Sequence, residues 1–470
     1  MTSLAIPVTE SMILFDVQLQ EWVTKSAKNH EFVQSDKGIP ASAYFLLGSF
    51  CSDNDIHVAY ASKCPVHSSA LEVNAPEKAK MLEEDWMADH AERLLRMLPG
   101  GIHVVGVAWF SDKKTFTERK PHIHKTLGRI QKMNNQITTA NVDESISDNM
   151  ITVFFETPST TPIGAIIDVT NRGNDSAQKV QFQKLEWISL VTNASARVVH
   201  NVPVESGKPT DFYSDLMVAT KNFVNNIFHC EFTLLDGEIR DEKEPLIKDI
   251  KKNKKTTIEA TLFLNPLHNR EPGATDELAS NMHEILFDIE VRAAVPIRTS
   301  VKDAIRAIKH HLVRNLFARV ELHYESMEVV EEERSPKTGI TVHQLPRPAT
   351  TVLYTHPAIL INDFLFEADN VEDAQKNFDD MMDLQTSIGK CKREIVFKSY
   401  FLLSEHVDEG WERALTPEEM EAVRTPIEDL HFVDYDGSSD SWCTTRTLLI
   451  TIGIIIGLLA SIIYFTVAHS

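Results

Sequence analysis

The stretch HAERLLRMLPGGIHVVG, residues 90–106, contains the switch that decides the fold. Up to Leu98 the apolar residues recur at helical spacing, with Leu82, Trp86, Leu94, Leu95 and Leu98 on one stripe. Pro99 then removes a backbone donor, and Gly100 and Gly101 end the helix. From Ile102 to Phe110 the chain is a continuous apolar run, the pattern of a strand buried on both faces in the middle of a sheet. Asn74, Pro76 and Glu77 mark where the helix should begin.

Outward from this unit the pattern stays mixed. AYFLLGSF, residues 43–50, reads as a buried strand; turn residues 52–55 follow, and Ile56 to Ala61 returns as its hairpin partner. Strands are expected at 151–156 and 163–170, then a helix at 211–228 with Phe212, Leu216, Phe223 and Ile227 on one face. The charged stretch 236–257, with its basic run Lys251 to Lys255, reads as a solvated linker; the competing reading is a polyanion patch. Beyond it, strands are expected at 258–264, 285–295, 319–325, 350–354 and 394–403. Helices are expected after the capping pair Ser300 and Asp303, around 370–383 with Ala374, Phe378 and Met381 inward, and from Thr416. The fold class is α/β (α+β). The expected organisation is a first mixed-sheet domain over 1–235, a linker over 236–257, a second α+β domain over 258–430, an acidic tether over 431–446 and a membrane anchor over 447–467.

That anchor is the clearest functional signal. Its apolar residues are Thr447, Leu448, Leu449, Ile450, Ile452, Ile454, Ile455, Ile456, Leu458, Leu459, Ile462, Ile463 and Val467, with no charge among the 21 positions. At about 1.5 Å per residue a helix of this length spans roughly 30 Å, the hydrocarbon thickness of a bilayer. Tyr464 and Phe465 stand near one interface. Only three residues follow, so the expectation is a tail-anchored protein with its body in the cytosol. Gly453 and Gly457 have the spacing that pairs membrane helices, although a glycine-tolerant anchor accounts for them equally well. The flanking stretch is acidic and glycine-rich, as a flexible tether would be. Cys443, four residues before the span, is placed for acylation.

Composition narrows the ligand classes. The chain has 470 residues, 43% of them hydrophobic, and a net charge of −21, so it is globular in composition and disfavours nucleic acid as its main partner. Five scattered cysteines fit a reducing compartment. The N-terminus has neither the basic region nor the long apolar run of a signal peptide.

Chemistry is sparse. Phosphate-binding glycine loops, the dinucleotide fingerprint, H-E-x-x-H and G-x-S-x-G are all missing from the sequence. His122 and His124 would both face a metal if they lay on a strand, but no second ligand motif follows, and the neighbouring Lys120, Lys125 and Arg129 suggest a solvated basic loop. Cys64 and His67 are three residues apart in sequence, which is not the usual way a nucleophile meets its base. Cys230, between Phe228 and Phe232, reads as a core thiol.

The order of hairpin, helix and apolar strand resembles the MPN domain, with Gly48 and Val105-Gly106 at matching positions. In active members of that fold a His-x-His pair follows the strand; here the corresponding residues are Trp109 and Ser111. The resemblance implies an MPN-like scaffold that has lost its metal ligands. Residues 44–50, residues 90–106 and the anchor after an acidic tether together resemble the odorant-response-abnormal protein 4 family. That resemblance implies a non-enzymatic adaptor of the endoplasmic reticulum membrane, needing no cofactor. Its clients would be odorant-type G-protein-coupled receptors, and its partner the cysteine protease specific for the ubiquitin-fold modifier. The rival is a membrane-tethered metal- or thiol-dependent isopeptidase. A vesicle-fusion protein fits poorly, because Pro426, Gly437 and repeated Asp interrupt any heptad before the anchor.

Overall fold

The computed structural model describes residues 11–32, 42–51, 55–65, 84–140, 146–170, 175–203, 212–230, 232–250, 255–263, 280–331, 340–353, 355–366, 369 and 371–382. The expected tether, the anchor with Gly453 and Gly457, Cys443, the strand at 394–403 and the helix from Thr416 lie outside them. Among the described residues no helix is long and apolar enough to cross a membrane.

The first half of the chain contributes β1 (Ile13–Asp16), α1 (Leu19–Phe32), β2 (Ser42–Phe50), β3 (Ile56–Lys63), α2 (Glu84–Met97), β4 (His103–Ser111), α3 (Lys113–Thr139), β5 (Asn149–Glu156), β6 (Pro162–Asp168), β7 (Asp175–Gln178) and β8 (Val180–Gln183). These strands form one sheet in the order β7-β6-β5-β4-β2-β3-β1-β8. β7 and β8 are its opposite edges, yet only Lys179 separates them in the chain. The sheet therefore rolls until its ends meet. At the seam a Cβ on Gly164 of β6 would stand 2.6 Å from Val180 of β8 and 3.0 Å from Ile13 of β1.

Two bulges shape the roll. The β2–β4 register slips between Leu46 and Leu47, leaving Val105 opposite no partner. Val104, Val107 and Trp109 consequently face one side, and Val105, Ala108 and Phe110 the other. A second slip falls between Leu47 and Gly48. Backbone crowds both glycines: a Cβ would stand 1.8 Å from the His57 carbonyl oxygen at Gly48 and 2.0 Å from that of Ile151 at Gly106. The two glycines that carry the MPN resemblance are thus demanded by close strand approach.

The inside of the roll holds α1, whose Leu19, Val23 and Ala27 pack among Phe15, Phe110 and Phe155. Trp22 meets Tyr44, Phe110 and Phe155 edge-on. The outside is covered by α2 and α3 through Leu94, Leu95, Ile123 and Leu127.

A second sheet is built from β9 (Trp187–Pro203), β10 (Phe232–Leu235), β11 (Glu238–Ile239), β12 (Thr257–Phe263), β13 (Ser280–Pro296) and β14 (Ile340–Gln344), in the order β11-β10-β12-β9-β13-β14. Its spine is the antiparallel β9–β13 ladder, paired from Trp187↔Pro296 to Pro203↔Ser280. Helices α4 (Phe212–Phe228) and α5 (Val301–Glu331) line one face, through Phe223, Ile227, Ile308 and Leu312. Ser300 opens α5 as expected: its hydroxyl accepts from the Asp303 backbone at 3.1 Å and donates to the Asp303 carboxylate at 2.8 Å. The hairpin of β15 (Arg347–Val352) and β16 (Leu360–Leu365), followed by α6 (Val371–Met382), then returns to the outside of the roll. There Tyr60 and Ser62 donate to the Met382 and Met381 carbonyls, both at 2.7 Å.

These pairings run across the boundaries expected at 235 and 258. β9 lies before 235 but pairs with β12 and β13 beyond it. Within the expected linker, Leu246 is buried and its N–H donates to the Thr299 carbonyl at 2.8 Å. Alternation along a strand reports its faces but not its partner. The strand expected at 319–325 is instead the continuation of α5. Leu312, Leu316, Val320 and His323 keep helical spacing, and no breaker interrupts them.

Candidate functional site

The end of β4 is where the MPN comparison would place a metal. Trp109 is buried there, and its indole N–H donates to the Ser111 hydroxyl at 3.0 Å. That hydroxyl donates onward to the Asp112 carbonyl at 2.8 Å. Asp112 in turn caps α3, its carboxylate accepting from the Thr115 N–H at 3.0 Å. The polar groups of this corner are consumed in starting a helix. Among the described residues no group of three or more His, Cys, Asp or Glu side chains is arranged to hold a metal.

His122 and His124 lie on neither strand nor loop but within α3. Residues two apart on a helix point about 200° apart, so the two imidazoles cannot converge on one ion. His122 is exposed, while His124 turns toward Asp175, 3.5 Å away. In the sequence, Pro121 and the density of charge hide the helical stripe of Ile123, Leu127 and Ile130. Cys64 is buried, and burial pushes its thiol up to about 12, the reverse of what a nucleophile needs. Its sequence neighbour His67 lies outside the described residues. Cys230 is a half-buried free thiol 3.7 Å from the Thr233 hydroxyl.

The strongest polar constellation went unnoticed in the sequence. Arg314 of α5 is buried against the turn that ends α2. Its guanidinium donates to the carbonyls of Leu98, Pro99 and Ile102 at 2.9–3.0 Å, to the Thr138 hydroxyl at 2.7 Å and toward His103 Nδ1 at 3.2 Å. His311, one turn away, accepts the Gly100 N–H at 3.1 Å. Burial lowers Arg314 to about 9, so it is still cationic at neutral pH, with its charge solvated by carbonyl dipoles. Burial, with Arg314 adding, lowers His311 to about 3 and keeps it neutral. Gly100 and Gly101 let the turn approach this closely: a Cβ would stand 1.9 Å from the Ala307 carbonyl oxygen or 2.3 Å from that of Ala294, and Gly101 has φ +83°. One signal was available, since Ala307, His311, Arg314 and Ala318 recur at helical spacing as a second inward stripe.

Two further buried pairs join distant segments. Asp16 accepts the N–H groups of Gln18 and Leu185, both at 2.9 Å, and stands 3.7 Å from His356 Nε2. His323 of α5 meets His343 of β14 at 3.0 Å. The Asp16 carboxylate is held by backbone donors, and the imidazoles of His323 and His343 face each other.

A rolled and an open sheet riveted through a helix turn, with the Trp109–Ser111–Asp112 corner of the roll built into a helix cap, describe a mixed α/β body built around junctions. Residues 44–392 match the ODR4-like family, odorant response abnormal 4-like, and the chain belongs to that family. It is 89% identical to odorant response abnormal protein 4 of Caenorhabditis elegans, over 98% of this chain and 94% of that one. The protein odr-4 homolog of Homo sapiens is 23% identical, over 72% of this chain and 77% of its own length. Among solved structures, UfSP from C. elegans aligns over 79% of this chain and 56% of its own, with a TM-score of 0.37 and 12% identity.

Proposed function

We propose that this chain is a non-enzymatic adaptor of the endoplasmic reticulum membrane. Residues 447–467 anchor it, and the body faces the cytosol. It assists folding, export and localisation of odorant-type G-protein-coupled receptors, and it brings the cysteine protease specific for the ubiquitin-fold modifier to that membrane. Family membership carries the receptor part of the reading, since the relatives are named for a defective odorant response. The Trp109–Ser111–Asp112 corner supports a scaffold of MPN type without its chemistry, because the groups at the ligand positions hydrogen-bond to each other. The isopeptidase alternative rests on Cys64 or His122; burial pushes the Cys64 thiol up to about 12, and His122 points away from His124 on α3, both of which oppose it.

The test is purification of the full-length chain in mild detergent, with mass spectrometry of bound proteins and metal analysis of the same sample. Co-purification of the modifier-specific protease near one-to-one, with client receptors in sensory cells, is the expected result. Stoichiometric zinc, or cleavage of a modifier conjugate by the chain alone, would overturn the reading.

A further inference from the structure

One helix of this acidic molecule is strongly basic. α3 has seven Lys and Arg against the single carboxylate Glu118, a local balance of +6 in a chain of −21, so the other 443 residues carry −27. Part of that charge is neutralised at the helix flanks, where Lys120 pairs with Asp175 and Arg129 with Asp85. Lys114, Lys125 and Lys132 are exposed and make no ion pair among the described residues. At 100° per residue these three fall within about 20° of one line, which runs about 27 Å along the helix. Exposed His122 lies beside the line, and Glu118 lies within it. The opposite face is consumed by the core through Ile123, Leu127 and Ile130, so α3 cannot rotate to hide the stripe.

We propose that this lysine line on α3 is a docking surface for an extended, carboxylate-rich polypeptide segment. Charge complementarity argues for an anionic partner, and the surroundings argue for a narrow one. Glu84, Asp85 and Asp175 flank the line. A flat anionic membrane would meet those carboxylates and the acidic bulk of the chain together with the lysines. An extended chain at about 3.3 Å per residue covers the line with roughly eight residues and avoids its flanks. The inference does not depend on the proposed receptor or protease role.

The test is fluorescence anisotropy with the full-length chain in nanodiscs of zwitterionic lipid and a labelled twelve-residue Glu/Ser peptide as probe. The triple variant K114E/K125E/K132E is compared with K63E/K184E/K302E, an equal change of net charge at exposed lysines elsewhere. The stripe variant is expected to lose at least tenfold in affinity and the control less than threefold, and wild-type binding should weaken steeply as salt rises. If the stripe variant does not fold, lysine acetylation footprinting of the wild-type chain replaces it; bound peptide should then protect residues 114, 125 and 132. Equal losses in both variants, no peptide binding, or protection of the three lysines by phosphatidylserine nanodiscs but not by peptide would each overturn the proposal.

Discussion

The two sheets solve the same problem in opposite ways. The first is covered on both faces, by α1 within the roll and by α2, α3, α6 and the β15–β16 hairpin outside it. The second is lined on one face by α4 and α5; its strands β10 and β12 show Phe232 and Phe263 to solvent, 40% and 42% exposed and stacked at 4.6 Å, and Ile239 on the edge strand β11 is 70% exposed. Rolling brings the edge strands β7 and β8 together and lets both faces of the first sheet be covered, whereas the second sheet keeps apolar side chains in water. The difference teaches that stability and contact surface are supplied by different parts of this chain. Arg314 is where the two meet.

Breaking that meeting point should have the largest effect. Arg314→Leu keeps the volume but leaves the carbonyls of Leu98, Pro99 and Ile102 without a donor, at a cost of about 5 kcal/mol. Denaturant titration measures this, and a loss below 1 kcal/mol would show that the junction is not stabilising. Phe378→Ala in the cover of the roll should cost about 4 kcal/mol, whereas Phe263→Ala on the open face should change stability by under about 1 kcal/mol. Similar losses from the two would erase the contrast between covered and uncovered faces.

Acid sharpens the comparison next. Burial is the main force holding His90 and His323 down to about 4 and His311 to about 3. The unfolded chain takes up protons near pH 6.5 that these folded imidazoles refuse. Their stabilisation is therefore complete above that pH and declines as pH falls toward the folded values. Between pH 7.5 and 5.5 the three should together remove about 4 kcal/mol. Melting temperatures across that range provide the test, and a flat profile would contradict the assigned burial.

Two glycines should respond with opposite signs. Gly48→Ala drives a methyl into the His57 carbonyl at the bulge and should cost about 3 kcal/mol. Gly128→Ala, in α3 with open space around it, should stabilise by about 1 kcal/mol. Ser111→Ala leaves the buried Trp109 N–H unpaired and should cost about 1–2 kcal/mol by thermal melt. If that variant were as stable as the parent, the closed corner would be mere packing.

Much of the architecture was legible in the residues. The hairpin around residues 43–61, the strand after Gly101, the helices at 212–228 and 371–382 and the cap at Ser300 all lie where periodicity and turn chemistry put them, because those signals are local. The short β1 and its following helix α1 were passed over, since four apolar residues resemble any buried fragment. At the candidate site, Trp109 and Ser111 are two residues apart in the sequence, but the hydrogen bond joining them is not readable from it.

The sequence alone determined the mixed α/β class, the acidic balance, the apolar span at 447–467 and the family, because each depends on residue type, order or short-range spacing. Tertiary structure decided the rest. It rolled the first sheet shut across Lys179, paired β9 with β13 across the expected boundary, turned His122 and His124 apart on a helix and buried Arg314 in carbonyls from a turn more than two hundred residues away. Each of those outcomes depends on which distant backbone group supplies the missing hydrogen bond, and spacing along the chain does not record that choice.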